Sequence, residues 1–491
     1  MTRDTPLTIP CCMSTQHPDN VNVPFFSSGP ELSGEDEVQE AYYAFSHLGC
    51  DEQMWDVEGK EVDSFVVKKL LTRHQPYFKE HRLGRDVFVT LRVPNPTVEK
   101  AEAKILLETL ESIPRSYDAS KLVFGDDMPP IFEVILPMTA SAKCVNRVYH
   151  YYRDFIVARQ NRPFYQGDVS IAEWIGEFKP DTINVIPLFE DLPQLSSADE
   201  ITADYLKGKD ATDQRVFLAR SDPAMNYGIV SAVLMTKIAL ARLEDLQERS
   251  GVNIHPILGA GSAPFRGNLS PANAARVADE YPSVKTFTVQ SAFKYDHAPT
   301  KVMNAIRYLR DRGVRPAQEM DEESCHSVTA RYSAEYQRQV QALAPVINSV
   351  ARFIPARRKR KLHVGLFGYS RDLGGTQLPR AISFTAALYS LGVPPELLGL
   401  SALTSADLGH VRSMYRHFDA DLEDALRFAD LESPFMPSEI RSAIEKLGLT
   451  ASVDGEHREI VRQISQLTLD EQNENVADLV VRAASLRHFL G

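Results

Sequence analysis

Cysteine is scarce: the 491-residue sequence holds five, and no two of them have the spacing of a Cys-x-x-Cys pair or of another metal-ligand motif. An odd number of cysteines argues against a disulfide framework and suits a reducing compartment. We therefore expect a cytoplasmic protein. The cysteines are Cys11, Cys12, Cys50, Cys144 and Cys325.

Long apolar stretches are also lacking. No run approaches the ~20 apolar residues that a membrane-spanning helix needs. The opening sequence, MTRDTPLTIPCCMSTQHPDN, has no apolar run long enough for a signal peptide. The sequence thus predicts a protein that neither crosses a membrane nor is exported.

Basic residues are outnumbered, because 54 lysines and arginines face 66 aspartates and glutamates, which gives a formal net charge of −12. Such a chain lacks the basic footprint that nucleic acids and anionic membranes select, so neither is expected as a partner. A basic run, RRKRK at 357–361, could be a nucleic-acid or localisation patch, but in so acidic a chain it is interpreted as a solvated helix end or a subunit contact. Any anionic substrate would have to be held by local cations.

Several catalytic motifs are missing. The sequence has no His-Glu-x-x-His, no Gly-x-Ser-x-Gly, no Walker sequence and no protein-kinase set, which excludes several common enzyme classes. GAGSAP at 259–264 is an incomplete dinucleotide fingerprint. Its glycines either let backbone N–H groups approach a phosphate or only form turns.

Short apolar and β-branched runs recur along the chain and alternate with helical patterns such as Glu99–Ile113 and Thr300–Arg312. Continuous apolar strands are typical of a parallel sheet that is buried on both faces. The predicted strands are Asp86–Val93, Ile131–Met138, Thr182–Phe189, Arg215–Ala219, Asn253–Gly259, Val284–Val289 and Leu362–Gly368.

Strand and helix alternate about seven times, and either MSTQH at 13–17 or Phe45–Trp55 could supply another strand. The count approaches the eight of a (β/α)8 barrel. We therefore predict an α/β fold with a TIM-type barrel.

Further helices are expected outside the barrel. Val328–Phe353 reads as one long helix, and the sequence is charged and helical from about Ser405 onward. No repeat or Pro/Gly-rich linker divides the chain. Residues 1–491 are predicted to form a single barrel domain, with helical additions at about 326–361 and 405–491.

Two acidic residues follow neighbouring predicted strands. Glu190 comes directly after Thr182–Phe189, and Asp222 comes shortly after Arg215–Ala219. In a parallel barrel such residues meet at the catalytic end, and paired carboxylates suit a hard cation such as Mg²⁺ or Mn²⁺. The alternative is that each acid caps the helix that follows it or pairs with an arginine.

Arginines stand in similar places. Arg92 ends the first predicted strand, Arg266 follows the glycine-rich loop, and Arg371 and Arg380 flank the sequence GYSRDLGGTQLPRA. A guanidinium holds phosphate or carboxylate oxygens with a planar fork. Each arginine could instead form a surface ion pair, but a buried cation without a partner is costly, and a bound anion would supply one.

His17 lies in a predicted loop, MSTQHPDN, and Pro18 restricts the chain after it. Histidine is the usual proton carrier near neutral pH, and loops often hold functional residues. A histidine in a loop can equally be no more than exposed. The residues alone therefore indicate a barrel enzyme with a metal and a multiply anionic substrate.

Six segments carry a family resemblance. They resemble the archaeal-type phosphoenolpyruvate carboxylases, span nearly the whole chain, and fit the length of the short branch of that family. The segments are MSTQHPDN at 13–20, DEQMWDVEGKEVD at 51–63, VIPLFEDL at 185–192, FRGN at 265–268, VQSAFKYD at 289–296 and GYSRDLGGTQLPRAISF at 368–384.

The resemblance implies a barrel enzyme, assembled as a homotetramer, that uses Mg²⁺ or Mn²⁺ to carboxylate phosphoenolpyruvate with bicarbonate. The implied products are oxaloacetate and phosphate, formed through carboxyphosphate and the enolate of pyruvate. Such a reaction would serve to replenish oxaloacetate by fixing CO₂.

The family motifs imply roles for individual residues of this sequence. TQHP at 15–18 resembles the motif around an essential histidine, which implies that His17 helps carboxyphosphate to decompose. Glu190 and Asp222 match the family's metal carboxylates. Besides His17, the residues implied to be catalytic are Arg266 and Arg371. The arginines implied to bind substrate are Arg92, by a weaker match, with Arg266, Arg371 and Arg380.

The sequence also departs from the longer carboxylases. FRGN stands where they have Gly-Arg-Gly-Gly, and Met225 stands where they carry a lysine. The ending RHFLG lacks their Asn-Thr-Gly, which leaves inhibition by aspartate or malate open. Two alternatives stay open as well: another Mg²⁺-dependent barrel lyase or aldolase that works through a pyruvate enolate, and a non-catalytic binding protein on the same barrel.

Overall fold

A computed structural model describes residues 8–60, 62–359, 372–373 and 376–491. Eight parallel strands form a closed barrel in chain order, because the first strand also pairs with the eighth. The strands are Cys12–Ser14 (β1), Glu52–Asp56 (β2), Phe88–Arg92 (β3), Glu133–Leu136 (β4), Asn184–Phe189 (β5), Asp213–Ala219 (β6), Asn253–Gly259 (β7) and Thr286–Val289 (β8). A separate antiparallel pair is formed by Asp372–Leu373 (β9) and Thr376–Gln377 (β10).

The predicted α/β barrel is confirmed. Its strands are almost wholly buried, as continuous apolar runs require when helices cover the outside and side chains fill the inside. Both candidates for the additional strand are used, since 13–17 overlaps β1 and Phe45–Trp55 overlaps β2. The predicted strand Leu362–Gly368 lies outside the described residues, and the barrel closes without it.

Side chains fill the barrel in layers. An apolar layer includes Met54, Ile135 and Phe217. Below it, near the amino ends of the strands, Arg215 pairs with Glu52 at 2.6 Å and with Glu133 at 3.2 Å. This buried ion-paired layer closes the bottom of the barrel, so the open end lies where the strands finish.

Helices surround the barrel. The predicted helix Glu99–Ile113 is found as Ala103–Phe124, after a 3₁₀ turn at Lys100–Glu102. The predicted helix Thr300–Arg312 is found one residue earlier at each end. The helices in this part of the chain are Glu35–Tyr43 (α1), Val66–Arg73 (α2), Gln75–Glu80 (α3), Ala103–Phe124 (α4), Ala142–His150 (α5), Ile171–Ile175 (α6), Leu192–Ser196 (α7), Ala198–Leu206 (α8), Ser221–Tyr227 (α9), Ile229–Ser250 (α10), Ala274–Glu280 (α11), Ser291–Tyr295 (α12) and Pro299–Asp311 (α13).

A further group of helices follows the barrel. Helices are predicted at about 326–361 and 405–491, whereas the helix Ala381–Ser390 lies between these ranges and is not predicted. The long helix is Glu322–Ala351, which is anchored to α9 because the Tyr336 hydroxyl donates to the Met225 carbonyl at 2.8 Å. That the whole chain is one domain stays a prediction. The additional helices are Glu322–Ala351 (α14), Ala381–Ser390 (α15), Ser405–Met414 (α16), Phe418–Leu426 (α17), Ser438–Leu447 (α18), Gly455–Leu469 (α19) and Val476–Arg487 (α20).

The segment after α20 runs back to the barrel. The Leu490 N–H donates to the Asp19 carbonyl at 2.7 Å, which places residues 487–491 beside the loop that follows β1. None of the helices in the described ranges is long and apolar enough to span a membrane.

Candidate active site

A cavity of about 300 Å³ lies at the carboxyl ends of the barrel strands. It brings together six of the seven residues singled out in the sequence, although their roles remain predictions. The seventh, Arg371, lies outside the described residues. The six lining residues are His17, Arg92, Glu190, Asp222, Arg266 and Arg380.

Glu190 follows β5 and is buried, with 5% of its surface exposed. Its Oε2 accepts a hydrogen bond from the Met138 N–H at 2.8 Å. Burial raises the pKa of Glu190 to about 8; the charge of Arg92 opposes this rise, and the nearby charge of Asp222 adds to it. The two predicted metal ligands are therefore close enough to repel each other.

The helix-capping alternative does not apply to Glu190. Helix α7 is capped by the neighbouring Asp191, whose side chain accepts a hydrogen bond from the Leu192 N–H at 3.0 Å. Asp222 lies in the first turn of α9, where the helix dipole stabilises a negative charge. Glu190 is thus directed to the cavity by its strand rather than held by the helix that follows.

Arg92 ends β3 and contacts three carboxylates. Its guanidinium lies 3.3 Å from Asp56, 2.7 Å from Glu58 and 3.4 Å from Glu190. Acids of the protein therefore already pair with Arg92, and its binding of substrate stays a prediction. Arg92 joins the ends of β2, β3 and β5 and offsets part of the negative charge around Glu190.

Arg266 is also satisfied by the protein. It belongs to a 3₁₀ turn after β7 and is buried, and its guanidinium donates to Gln290 Oε1 at 2.7 Å and to the Gly491 carbonyl at 2.7 Å. It lies 3.3 Å from Asp19. A Cβ at Gly261 would lie 2.9 Å from this guanidinium, so glycine is required there for the close approach. Arg266 is therefore fixed in orientation before any substrate binds.

Arg380 is the residue that precedes α15. Burial lowers the pKa of its guanidinium, and the charges of Glu58 and Asp222 act in the opposite direction. Glu58 therefore acts on both Arg380 and Arg92, although Arg380 precedes a helix outside the barrel and Arg92 ends a barrel strand. Arg380, Arg92 and Arg266 thus share one cavity with a group of acids.

His17 lies just after β1, partly buried, with its Nδ1 2.9 Å from Thr15 Oγ1. Burial lowers the pKa of the imidazole well below its usual range, and the charges of Lys60 and Arg92 lower it further. The ring is consequently neutral at physiological pH and can accept a proton when negative charge enters the cavity. His17 is not simply an exposed loop histidine.

Several cavity residues were not singled out in the sequence. Glu58, Lys60 and Glu99 line the same space. Glu58 and Lys60 belong to the sequence DVEGK, which begins at the end of β2, so the strand-end rule that found Glu190 could have found them. Met225, by contrast, is buried in α9 and does not line the cavity.

The interpretation of 357–361 as a solvated or subunit-contact run is wrong for Arg358. This side chain is buried and pairs with Glu37 and Glu40, each at 2.7 Å. Two acids on α1 compensate its charge, which is why burial is tolerated. Arg357 lines the cavity beside it, and residues 360–361 lie outside the described ranges.

A sequence profile of phosphoenolpyruvate carboxylase matches residues 9–491. The chain belongs to this family. The phosphoenolpyruvate carboxylase of Methanothermobacter thermautotrophicus is 57% identical over 483 residues, which are 98% of this chain and 100% of that protein. The enzyme of the same name from Methanospirillum hungatei is 56% identical over 98% of this chain and 100% of its own length.

The phosphoenolpyruvate carboxylase family accounts for the resemblance found in the six sequence segments, which is thereby confirmed. A much weaker likeness relates the chain to the solved structure of Haloferax volcanii malate synthase, with a TM-score of 0.41, 9% identity, and coverage of 85% of this chain and 97% of that one. It has no bearing on the reaction.

Proposed function

We propose that this protein joins bicarbonate to phosphoenolpyruvate and releases oxaloacetate and phosphate. The observation that supports the proposal is the shared cavity, which presents paired acids, arginines and a neutral histidine at the catalytic end of a barrel in a member of this family. The reaction needs a cation site, anion binding and a proton acceptor, which the acids, the arginines and the histidine provide in that order.

Glu190 and Asp222 would hold a Mg²⁺ or Mn²⁺ ion. The buried Glu190, whose pKa is raised to about 8 by burial and by nearby acids, is an oxygen donor whose charge a cation would stabilise. In the described part of the chain no group of three or more His, Cys, Asp or Glu residues is placed to hold a metal. Two carboxylates are enough for Mg²⁺, which keeps several waters.

When bound, the ion would act as a Lewis acid toward the phosphoryl oxygens and the enolate oxygen. Arg266 and Arg380 bind the phosphate and carboxylate oxygens of phosphoenolpyruvate and neutralise the charge that grows during transfer. A bicarbonate oxygen attacks phosphorus, and the bond between phosphorus and the enol oxygen breaks. The products of this step are carboxyphosphate and the enolate of pyruvate.

His17 acts in the second step. Its neutral imidazole accepts the proton of the carboxyl group of carboxyphosphate, and the bond between that carbon and the bridging oxygen breaks. Phosphate leaves and CO₂ remains beside the enolate. The enolate carbon then attacks CO₂ and forms oxaloacetate.

A coupled assay tests the proposal. Purified protein is mixed with phosphoenolpyruvate, bicarbonate and Mg²⁺, and oxaloacetate is followed with malate dehydrogenase and NADH. We expect oxaloacetate only when bicarbonate and the divalent ion are both present, and activity restored by Mg²⁺ after treatment with EDTA. Full turnover in EDTA, or no oxaloacetate under any condition, would contradict it.

We also infer that the enzyme works in the cytoplasm as a homotetramer. The homotetramer rests on the family resemblance, and the odd number of cysteines agrees with a reducing compartment. Light scattering that returns four chains per particle is the expected result, and a monomer active at the same concentration would refute the tetramer.

A further inference from the structure

Lys60 is a cavity cation for which the reaction described above has no role. It lies four residues after Asp56, the last residue of β2, and only 4% of its surface is exposed. Its ammonium contacts Asp56 Oδ2, and the side chain lines the cavity. Lysine is rarely buried unless it is paired, because its charged end is normally kept in water. A lysine buried beside a substrate cavity therefore needs an explanation.

The local charges leave room for an anion. Asp56 Oδ2 that contacts Lys60 also lies 3.3 Å from Arg92 Nη1, so two cations share one carboxylate oxygen. Glu37, which also acts on Lys60, is paired with Arg358 at 2.7 Å. Burial, together with the charges of Arg92 and Arg358, lowers the pKa of the Lys60 ammonium, so a small anion bound beside it would stabilise its charged form.

The contacts also order the cavity. Arg92 lies between Glu190 and Asp56, and Lys60 lies beyond Asp56. Among the charges that act on the imidazole of His17, that of Lys60 is the strongest. Arg92 and Asp56 thus separate Lys60 from Glu190, and the charge of Lys60 acts on His17.

We propose that Lys60 binds bicarbonate beside His17 and that Asp56 positions its ammonium; this inference rests on the proposed carboxylase reaction. The ammonium is a compact charge with three donors, which suits a small oxyanion. Bicarbonate held there lies between the phosphoryl group on the metal side and the imidazole on the other. After phosphoryl transfer, the carboxyl proton is then within reach of His17.

The test is Lys60→Met, studied by varying bicarbonate and phosphoenolpyruvate separately. We expect the KM for bicarbonate to rise roughly tenfold or more, as loss of one charge-assisted contact predicts. The Kd of phosphoenolpyruvate, measured by calorimetry with Mg²⁺ and without bicarbonate, should stay within about threefold, because Lys60 does not bind that substrate. A merely structural lysine would not separate the two constants.

Lys60→Arg keeps the charge and should give a KM for bicarbonate between those of the wild type and Lys60→Met. The matched control is Lys68→Met, an exposed lysine of α2, which should leave both constants unchanged. If Lys60→Met does not fold, Lys60→Arg decides: a raised KM for bicarbonate with normal phosphoenolpyruvate binding supports the inference.

An unchanged KM for bicarbonate in the folded Lys60 variants would overturn the inference, and so would an equal loss of affinity for both substrates. Neither result touches the proposed function, provided that the wild type forms oxaloacetate. Absence of oxaloacetate with the wild type is the separate result that would overturn the function itself.

Discussion

Burial of Glu190 next to Asp222 is costly in isolation, and Arg92 offsets only part of that cost. At the scale of single residues, the cavity holds buried charged groups that bound ions would stabilise. Burial and the charge of Asp222 raise the pKa of Glu190, and a cation would lower it again. Burial and the charges of Arg92 and Arg358 lower the pKa of Lys60, and a bound anion would oppose that shift.

Glu190→Gln and Asp222→Asn should each weaken Mg²⁺ binding by about tenfold or more, because each removes a charged oxygen donor without changing shape. Calorimetric titration of the purified variants with Mg²⁺ and Mn²⁺ measures this directly. Circular dichroism should show the fold of the parent. Wild-type metal affinity in either variant would remove that residue from the site.

His17→Asn should separate the two halves of the reaction. Phosphoenolpyruvate and bicarbonate still bind and carboxyphosphate still forms, but its decomposition beside the enolate lacks a proton acceptor. Phosphate and pyruvate should therefore appear in a bicarbonate-dependent way, with little oxaloacetate. Product analysis by NMR distinguishes the outcomes: a normal oxaloacetate yield would make His17 a bystander, and lost phosphate release would place it in the first step.

The sequence located the acids and arginines because each follows a recognisable apolar strand or glycine-rich loop. Lys60 also follows a strand end, but the sequence alone does not show that it is buried or that Asp56 contacts both Lys60 and Arg92. The hydrogen-bond partners of Arg266 could not be predicted from the sequence either. Its contact with the Gly491 carbonyl joins residues 225 positions apart, and no local pattern reports such a pair.

At the scale of elements, the helices outside the barrel complete the site. Helix α15 brings Arg380 to the cavity, and the segment 487–491 orients Arg266 through the Gly491 carbonyl at 2.7 Å. Glu396, in a 3₁₀ turn after α15, accepts hydrogen bonds from the Phe265 N–H and the Tyr389 hydroxyl. The additional helices therefore hold the loop that carries Arg266.

Gly491→Ala should lower kcat, by up to about tenfold if one charge-assisted contact to Arg266 is lost. The reason is steric: a Cβ at this position would lie 2.1 Å from the Ile382 carbonyl oxygen, so the segment has to shift. Gly409→Ala in α16 is the matched control, since a Cβ there meets nothing within 4 Å. Equal kinetics in both variants would show that the segment does not orient Arg266.

Glu396 makes stability depend on pH. Burial raises its pKa to about 7, above the ordinary 4.5, so its contribution to stability is full below the ordinary pKa and is lost as pH rises through about 7. The raised pKa corresponds to at most about 3 kcal/mol. Relative to Glu396→Gln, the wild type should lose stability between pH 5 and pH 8, which thermal melts at both values measure. A constant difference between the two proteins would contradict the assignment.

At the scale of the whole molecule, the barrel fold could be predicted from the sequence because strand and helix alternate and the strands are apolar throughout. The sequence indicates that helices exist beyond the barrel, but it does not indicate where they pack. The sequence of a charged amphipathic helix such as α16 or α19 does not show which surface the helix covers. That surface is set by packing against α14 and α15.

The most direct test of the account is the fate of the bicarbonate oxygens. With ¹⁸O-labelled bicarbonate, attack of bicarbonate on phosphorus followed by decomposition of carboxyphosphate leaves one labelled oxygen on phosphate and two in the new carboxylate of oxaloacetate. Mass spectrometry of phosphate released in a single short incubation should show one ¹⁸O per molecule. Phosphate without label would mean that bicarbonate does not attack the phosphoryl group, and it would contradict the proposed reaction.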